Sequence, residues 1–255
     1  MTRYSALSLL SQGVRGHRGW RPAWAKTRRP KPAYDAVIVG GGGHGLATAY
    51  YLAKTHGVSR VAVLEKGWIG GGNTGRNTTA VRSNYFYPES VALYDLALRL
   101  YEGLSKELNF NIMLSQRGML IAAHTPAQME ICARIANAMQ LNGVDGHLMT
   151  AAEAKARIPL LNQTRDARFA LMGGVWQGRA GVARHDAVAW GYARAASALG
   201  VDIIENCTVT GIETQAGAIC GVHTNLGPIR TGRLGLAAAG ATPGLAAMVG
   251  ASLPI

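Results

Sequence analysis

The sequence predicts an α/β fold in which a parallel β-sheet is covered by helices, and three observations carry this prediction. An apolar, β-branched run over residues 35–39 is typical of a strand buried on both faces. The glycine-rich segment 40–45 follows it directly, and a helical pattern over residues 46–55 ends near Gly57. A second apolar strand, over residues 61–64, completes the β-α-β unit.

The glycine-rich segment has the spacing G-x-G-x-x-G, with Gly40, Gly42 and Gly45 at the glycine positions and Gly43 and His44 between the last two. The first glycine permits a tight turn, the second lets backbone N–H groups approach a pyrophosphate, and the third lets the helix pack against the sheet. The N-terminus of that helix offers N–H donors and partial positive charge to phosphates. The segment therefore predicts a Rossmann-like domain that binds the ADP part of a cofactor.

Glu65 ends the second strand, 20 residues after Gly45, where a carboxylate can accept hydrogen bonds from ribose hydroxyls. An acid at this place repels a 2′-phosphate, so an NADP site is disfavoured. The motif alone does not separate FAD from NAD. The loop over residues 67–79 favours FAD, because its five glycines allow close backbone approach and its Asn, Thr and Arg side chains can donate to a pyrophosphate or a flavin ring.

The rest of the chain departs from a steady alternation of strand and helix. Helical periodicity covers residues 88–108, 125–141, 151–158 and 186–199, and apolar strand patterns cover residues 117–123, 201–204, 208–212, 219–224 and 234–238. This order predicts a nucleotide-binding domain that contains an inserted α+β substrate domain. The predicted boundaries are a basic arm over 1–33, the nucleotide-binding domain over 34–110 and 185–255, and part of the insert over 111–184.

Composition excludes several classes of function. The chain is 48% apolar, too much for a disordered protein, and it has no run of 18 uncharged apolar residues, so no membrane span is expected. Of the net charge of +12, residues 1–34 contribute eight basic side chains and no acid, which leaves +4 for the rest. The rest shows no basic stripe interleaved with aromatic residues, so nucleic-acid binding is not expected.

Cysteine usage excludes a disulfide scaffold, and histidine usage gives a metal centre little support. The three cysteines include no C-x-x-C pair and favour a reducing compartment. His124, His147 and His223 have no acids or cysteines at ligand spacing. A metal site is therefore not predicted.

The basic arm has two interpretations. Residues 1–31 are rich in Arg, contain Ser and lack acids, as a mitochondrial transit peptide does. Alternatively they form a mobile or partner-binding arm with large apolar anchors, namely Tyr4, Leu7, Leu10, Trp20 and Trp24. Ordered structure is expected to begin at Tyr34. The chain is expected in the cytoplasm, or in mitochondria if the arm is a transit peptide.

Several segments together resemble the β subunits of heterotetrameric sarcosine oxidases. They are residues 34–66, 70–79 with 82–85, 115–118 and 181–190, and the likeness runs without obvious gaps from about residue 34 to residue 255. An arm like residues 1–33 also occurs in some members. The resemblance implies a flavoprotein of the glutathione-reductase type, in the glycine-oxidase-like branch. That family continues well beyond Ile255, so the C-terminal part is expected to be missing and the isolated chain could be inactive.

The resemblance also implies an activity. In that family sarcosine is demethylated to glycine at a non-covalent FAD, and electrons pass to an FMN attached covalently to a histidine of this subunit. Oxygen is reduced there to hydrogen peroxide, the methyl carbon leaves as formaldehyde or methylenetetrahydrofolate, and the other subunits are partners in a hetero-oligomer. Three alternatives remain open: another FAD-dependent amino-acid oxidase or dehydrogenase, an NAD-dependent dehydrogenase, and an inactive flavoprotein fragment that only holds cofactor and partners.

Site residues follow from the same resemblance. The implied FAD contacts are Gly43, His44, Glu65, Asn73, Arg76, Thr78 and the backbone of Val209. His185 matches the FMN-linked histidine, and Arg184 and the following helix N-terminus are expected to meet the FMN phosphate. By spacing alone, a histidine in this position is more often a capping or surface residue, and only the resemblance favours the FMN link. Arg82 is the candidate for the substrate carboxylate, with a salt bridge or a flavin contact as the alternative.

Overall fold

The computed structural model describes residues 5–16, 18, 22–162, 164 and 166–254. The helices of these residues are α1 (Ala6–Val14), α2 (Gly43–His56), α3 (Pro88–Glu107), α4 (Pro126–Leu141), α5 (Ala151–Arg157), α6 (His185–Ala198) and α7 (Thr242–Ala247). The strands are β1 (Ala36–Val39), β2 (Val61–Leu64), β3 (Ala80–Val81), β4 (Met119–Ala123), β5 (Gly146–Thr150), β6 (Gly173–Gln177), β7 (Gly181–Val182), β8 (Asp202–Ile204), β9 (Val209–Gln215), β10 (Ala218–Thr224), β11 (Gly227–Arg230) and β12 (Leu234–Leu236). Within the described residues, no helix combines the length and apolar character that a membrane crossing requires.

The chain divides into two compact units. The first comprises Met1–Gly71 with Tyr192–Ile255, and the second comprises Gly72–Gly191. Helix α3 therefore lies in the second unit, whereas the sequence analysis assigned it to the nucleotide-binding domain. The reason is packing, since Val91 of α3 is buried in one cluster with residues of β4 and α4. The functional assignment of the domains stays a prediction.

The first unit is built on a parallel sheet with the strand order β12-β1-β2-β8. Every residue of β1 and β2 is buried, which confirms the predicted burial of both faces. Helix α2 packs against these two strands and ends at Gly57, whose φ of 64° suits glycine. An antiparallel sheet of β9, β10 and β11 adds Val222 and Ile229 to the same core. The mixed α/β fold class predicted from the sequence is confirmed.

The second unit contains an antiparallel sheet with the order β4-β6-β5, and helix α4 packs against it. The central strand β6 begins with two glycines, and the sequence analysis did not identify it. A Cβ on Gly174 would stand 2.2 Å from the carbonyl oxygen of Ile121, and one on Gly173 would stand 2.3 Å from that of Met149. These glycines are therefore required by close strand packing, although in sequence they are typical of a loop.

Residues 22–33 pack on the first unit, so the expectation that order begins at Tyr34 is wrong. Lys26 forms a parallel bridge with Ile203 of the outer strand β8. The N–H of Thr27 donates to the carbonyl of Ile203 over 3.3 Å. This segment therefore covers the edge of the sheet, where unpaired backbone groups would otherwise be exposed.

Asp202 anchors this segment through side chains. Its carboxylate lies 2.8 Å from Lys31 Nζ and accepts hydrogen bonds from the hydroxyls of Tyr34 (2.9 Å) and Thr27 (3.3 Å). Tyr34 is buried, and burial raises the pKa of its hydroxyl, so that group stays protonated and donates. Three side chains between residues 27 and 34 thus converge on one acid at the start of β8.

The apolar anchors expected in the arm are not buried where they can be described. Leu7 and Leu10 lie on α1 and are 79% and 67% exposed, and Trp24 is half-buried. Tyr4 and Trp20 lie outside the described residues. The arm therefore attaches through the polar contacts of residues 25–34.

Deleting residues 1–31 should lower the free energy of unfolding by about 2 kcal/mol, because it removes several hydrogen bonds to the sheet edge. It should also cause concentration-dependent aggregation, since the edge of β8 is uncovered. Deleting residues 1–16 is the matched control, because α1 buries no residue. Urea unfolding and light scattering measure both effects, and equal behaviour of the two truncations would contradict the role of the arm.

Arg179 joins two acids of the second unit. Its Nη2 lies 3.0 Å from Glu102 Oε2 and its Nη1 lies 3.2 Å from Asp95 Oδ1. Gln116 Nε2 donates to Glu102 Oε1 over 2.8 Å. The hydrogen bond from Arg179 holds the pKa of Glu102 below its ordinary value. Partial burial acts to raise this pKa, and the hydrogen bond from Gln116 acts to lower it further.

Replacing Glu102 with Gln should lower the free energy of unfolding at pH 7 and make it less sensitive to acid. The folded-state pKa of Glu102 is the lower one, so its contribution is present above the unfolded-state pKa of about 4.3 and is lost as pH falls through the folded value. Urea unfolding of wild type and E102Q should show a gap that narrows below about pH 5. E130Q, on the exposed side of α4, is the control. A gap that is constant from pH 7 to pH 3 would contradict the assignment.

Candidate functional site

Helix α2 begins in direct contact with the turn that follows β1. Gly40 has a φ of 116°, and a Cβ on it would stand 2.3 Å from the carbonyl oxygen of Ala237. A Cβ on Gly45 would stand 1.9 Å from the carbonyl oxygen of Gly40. Both positions therefore require glycine, as the spacing predicts.

The N-terminus of α2 has the character of an anion site. Gly42 is the N-cap residue, no described side chain caps the helix, and no acid lies in its first turn. The partial positive charge of the first turn is therefore not met by any of these side chains. Gly43 and His44 form this turn, and the exposed His44 side chain lines an open groove of about 410 Å³ along α2.

Glu65 lies beside the glycine-rich turn that begins at Gly40 and leads into α2, called the glycine turn below. Its Oε2 accepts the N–H of Gly41 over 2.7 Å, and its Oε1 accepts the N–H of Gly67 over 2.9 Å. Each carboxylate oxygen has a second acceptor position, which suits the two hydroxyls of a ribose. The structure thus brings Glu65 and the glycines together, as the sequence analysis expects. The N–H groups at the start of α2 and the carboxylate of Glu65 fit the ADP half of a dinucleotide.

Val209 begins β9, and its side chain is buried in the core of the first unit with Val39 and Ile204. A ligand could therefore meet only its backbone, in the manner that the resemblance implies. The contact itself stays a prediction.

In the second unit, Asn73 and Arg76 bound a short 3-10 turn and Thr78 follows it, with all three exposed. Asn77 Oδ1 accepts the N–H of Thr79 over 2.7 Å. Thr79 has a φ of 61°, an unusual conformation for a β-branched residue and one that is often found at functional sites. The shaping role of Asn77 was missed from the sequence, where only the tolerance of Asn for tight turns could have indicated it.

Arg82 is half-buried in the same unit. Its Nη1 donates to Asn84 Oδ1 over 2.6 Å, and its guanidinium lies 4.4 Å from the centre of the Tyr85 ring. The Tyr85 ring stacks on Tyr94 at 3.9 Å between ring centres, and burial, with a hydrogen bond from the Tyr85 hydroxyl to Tyr94, raises the pKa of Tyr85. Among the described residues no carboxylate pairs with Arg82, so its charge is available to an anionic ligand.

His185 is the first residue of α6 and is half-buried. Its Nδ1 is buried and has no hydrogen-bond partner among the described residues. Asp186 accepts hydrogen bonds from Arg184 Nε (2.8 Å) and from the N–H of Ala187 (2.7 Å). Although burial acts in the opposite direction, these bonds hold the pKa of Asp186 below its ordinary value. Asp186 thus engages donors that the sequence analysis assigned to a phosphate.

Two of the three histidines that the sequence analysis considered as metal ligands have protein partners. His223 Nε2 lies 2.5 Å from Glu213 Oε1, and His124 Nδ1 lies 2.9 Å from the carbonyl oxygen of Phe169. Across the described part of the chain, no group of three or more His, Cys, Asp or Glu side chains is placed to hold a metal ion.

The parallel sheet, the glycine turn and Glu65 define an α/β dinucleotide-binding protein. Residues 35–255 match the DAO family, described as FAD dependent oxidoreductase, and the chain belongs to this family. Among the cofactors left open by the glycine motif, the family supports FAD.

Relatives and solved structures agree with this family. The chain is 54% identical to sarcosine oxidase subunit beta of Rhizobium meliloti (strain 1021), over 99% of this chain and 60% of that protein. It is 48% identical to sarcosine oxidase subunit beta of Rhodobacter capsulatus, over 100% of this chain and 61% of that protein. The fold is similar to that of L-proline dehydrogenase from P. horikoshii, with a TM-score of 0.79 and 27% identity over 87% of this chain and 57% of that one. The resemblance is confirmed, and the chain spans about three fifths of the relatives' length.

Replacing Gly45 with Ala should abolish ADP binding and lower the free energy of unfolding by about 1–3 kcal/mol, because the new Cβ forces α2 away from the turn. Calorimetric titration with ADP and urea unfolding measure the two effects. Gly232→Ala is the control in the same unit, since a Cβ there meets nothing within 4 Å. Unchanged ADP affinity in G45A would show that the nucleotide does not bind at this turn.

Proposed function

We propose that this chain is part of a sarcosine oxidase β subunit that oxidises the N-methyl group of sarcosine with FAD. The observation that carries the proposal is the 54% identity to the Rhizobium meliloti subunit over nearly the whole chain. The site supports it, because the uncapped N-terminus of α2 and Glu65 fit the ADP half of FAD.

Different residues of the chain are assigned to different parts of FAD. The first turn of α2 binds the pyrophosphate and Glu65 binds a ribose, while Asn73, Arg76, Thr78 and the backbone of Val209 are further proposed contacts of FAD. When bound, FAD supplies the two-electron acceptor for the substrate C–N bond, and FMN supplies the place where oxygen is reduced. Water releases the oxidised methyl carbon as formaldehyde, or tetrahydrofolate takes it in place of water and becomes methylenetetrahydrofolate, and either reaction leaves glycine. The two electrons pass on to FMN and, with two protons, reduce oxygen to hydrogen peroxide.

Arg82 binds the carboxylate of sarcosine. Sarcosine carries a carboxylate at one end, and a guanidinium offers it two parallel donors. The support for this role is the absence of a carboxylate partner for Arg82 among the described residues, together with its fixed place over Tyr85.

His185 is the proposed point of covalent FMN attachment. Its buried Nδ1 without a partner supports a ring whose surroundings are completed by a further group. Arg184 is retained as a phosphate partner through its terminal nitrogens, since Asp186 engages its Nε. The other sarcosine oxidase subunits are the proposed protein partners, in a cytoplasmic hetero-oligomer.

Acid precipitation of the full chain, expressed together with the other subunits, tests both cofactors. FAD should appear in the supernatant, and the pellet should stay yellow from covalent FMN. The peptide with residues 183–190 should carry the added mass of FMN. His185→Ala should remove colour and added mass from the pellet, whereas His147→Ala, which alters an exposed histidine, should not.

A supernatant without FAD would contradict the proposed oxidase. A pellet that stays yellow in H185A would contradict the attachment site alone.

A further inference from the structure

We propose that Gln177 is a positioning residue, which fixes the backbone of Ser83 so that the neighbouring Arg82 presents its guanidinium to the substrate carboxylate. The inference rests on the proposed function, because it takes the carboxylate-binding role of Arg82 from there. Gln177 does not itself touch the substrate in this account.

Gln177 ends strand β6 and is completely buried, as is Ser83. Its Oε1 accepts the N–H of Ser83 over 3.0 Å, and its Nε2 donates to Ser83 Oγ over 2.7 Å. A buried amide is costly unless it is hydrogen-bonded, so these two bonds hold both the backbone and the side chain of Ser83.

Asp145 sets the orientation of the Gln177 amide. Gln177 Nε2 also donates to Asp145 Oδ1 over 3.2 Å, and the N–H of Arg179 donates to Asp145 Oδ2 over 2.6 Å. A carboxylate can only accept and the N–H of Ser83 can only donate, so the amide satisfies both in one orientation alone. The side chain of Arg179 is tied in turn to Glu102.

The series of contacts that starts at Asp145 ends at the guanidinium of Arg82. Ser83 lies between Arg82 and Asn84, and Arg82 Nη1 donates to the Asn84 side chain. Asn84 is itself buried, and the guanidinium lies against the face of the Tyr85 ring. A shift of the Ser83 backbone would therefore move the charged group, its hydrogen-bond acceptor and its aromatic support together. Binding geometry depends on such support of the contacting group by a surrounding shell.

Exchanging amide and carboxylate groups at residues 177 and 145 tests the proposal, because the exchange alters donors and acceptors while the side chains keep their size. In Q177E two carboxylates face each other, and in D145N two amide N–H groups face each other, because the Asn oxygen must accept from Arg179. In Q177E/D145N the amide of residue 145 donates to the carboxylate of residue 177, and Ser83 again has an acceptor. A double-mutant cycle of these variants isolates the pair.

The measurement is calorimetric titration of the full chain, in saturating FAD, with sarcosine and with sarcosine amide, in which an uncharged carboxamide replaces the carboxylate. The preference for the acid over the amide should fall about tenfold in Q177E and in D145N, in keeping with loss of a well-aimed charge-assisted contact. It should return in Q177E/D145N. Loss of folding alone would weaken acid and amide alike, and the exposed Gln215→Glu change at the end of β9 controls for added charge.

Each outcome separates this proposal from the proposed function. If wild type does not prefer the acid, or if Arg82→Met keeps that preference, the carboxylate role of Arg82 fails and the positioning role fails with it. If Arg82→Met loses the preference and Q177E keeps it, Arg82 binds the carboxylate and Gln177 does not position it. If Q177E does not fold, D145N and the double variant decide: a double variant as poor as D145N overturns the proposal.

Discussion

One backbone contact governs the first unit: the start of α2 lies so close to the turn after β1 that no side chain fits between them. A Cβ on Gly45 would overlap the carbonyl oxygen of Gly40, and a Cβ on Gly40 would overlap that of Ala237, just beyond β12. The contact is made by backbone atoms and leaves no room for a side chain, so it can form only if both positions are glycine. The N-terminus of the helix is thereby held at the carboxyl ends of the parallel strands, where α/β proteins bind nucleotides.

The two units offer different means of binding anions. In the first, backbone N–H groups and the helix dipole suit a pyrophosphate, while Glu65 suits a neutral ribose. In the second, Arg82 keeps a charge that no described carboxylate neutralises, which suits a small carboxylate. The backbone next to Arg82 is held by a buried network of hydrogen bonds among Ser83, Gln177 and Asp145. Because the donors and acceptors of such a network pair with one another, the network specifies one geometry.

What could be predicted from the sequence was local. The first strand, the glycine turn, α2 and Glu65 follow one another within 31 residues, and each pattern carries its own signal. The arm could not be predicted, because Lys26 pairs with Ile203 from the far end of the chain. Strand β6 was missed because Gly173 and Gly174 indicate a loop unless their close neighbours are known. Gln177 stands in no motif, and only its burial against Ser83 makes it visible.

Hydrogen exchange of the full chain tests the central claim most directly, with mass spectrometry of the peptide that spans residues 40–46. FAD should slow exchange of these amides, because the pyrophosphate accepts their N–H groups, and NAD⁺ at the same concentration should protect them far less. Protection by NAD⁺ with none by FAD would contradict the account, and so would tight binding of FAD that leaves the exchange of this segment unchanged.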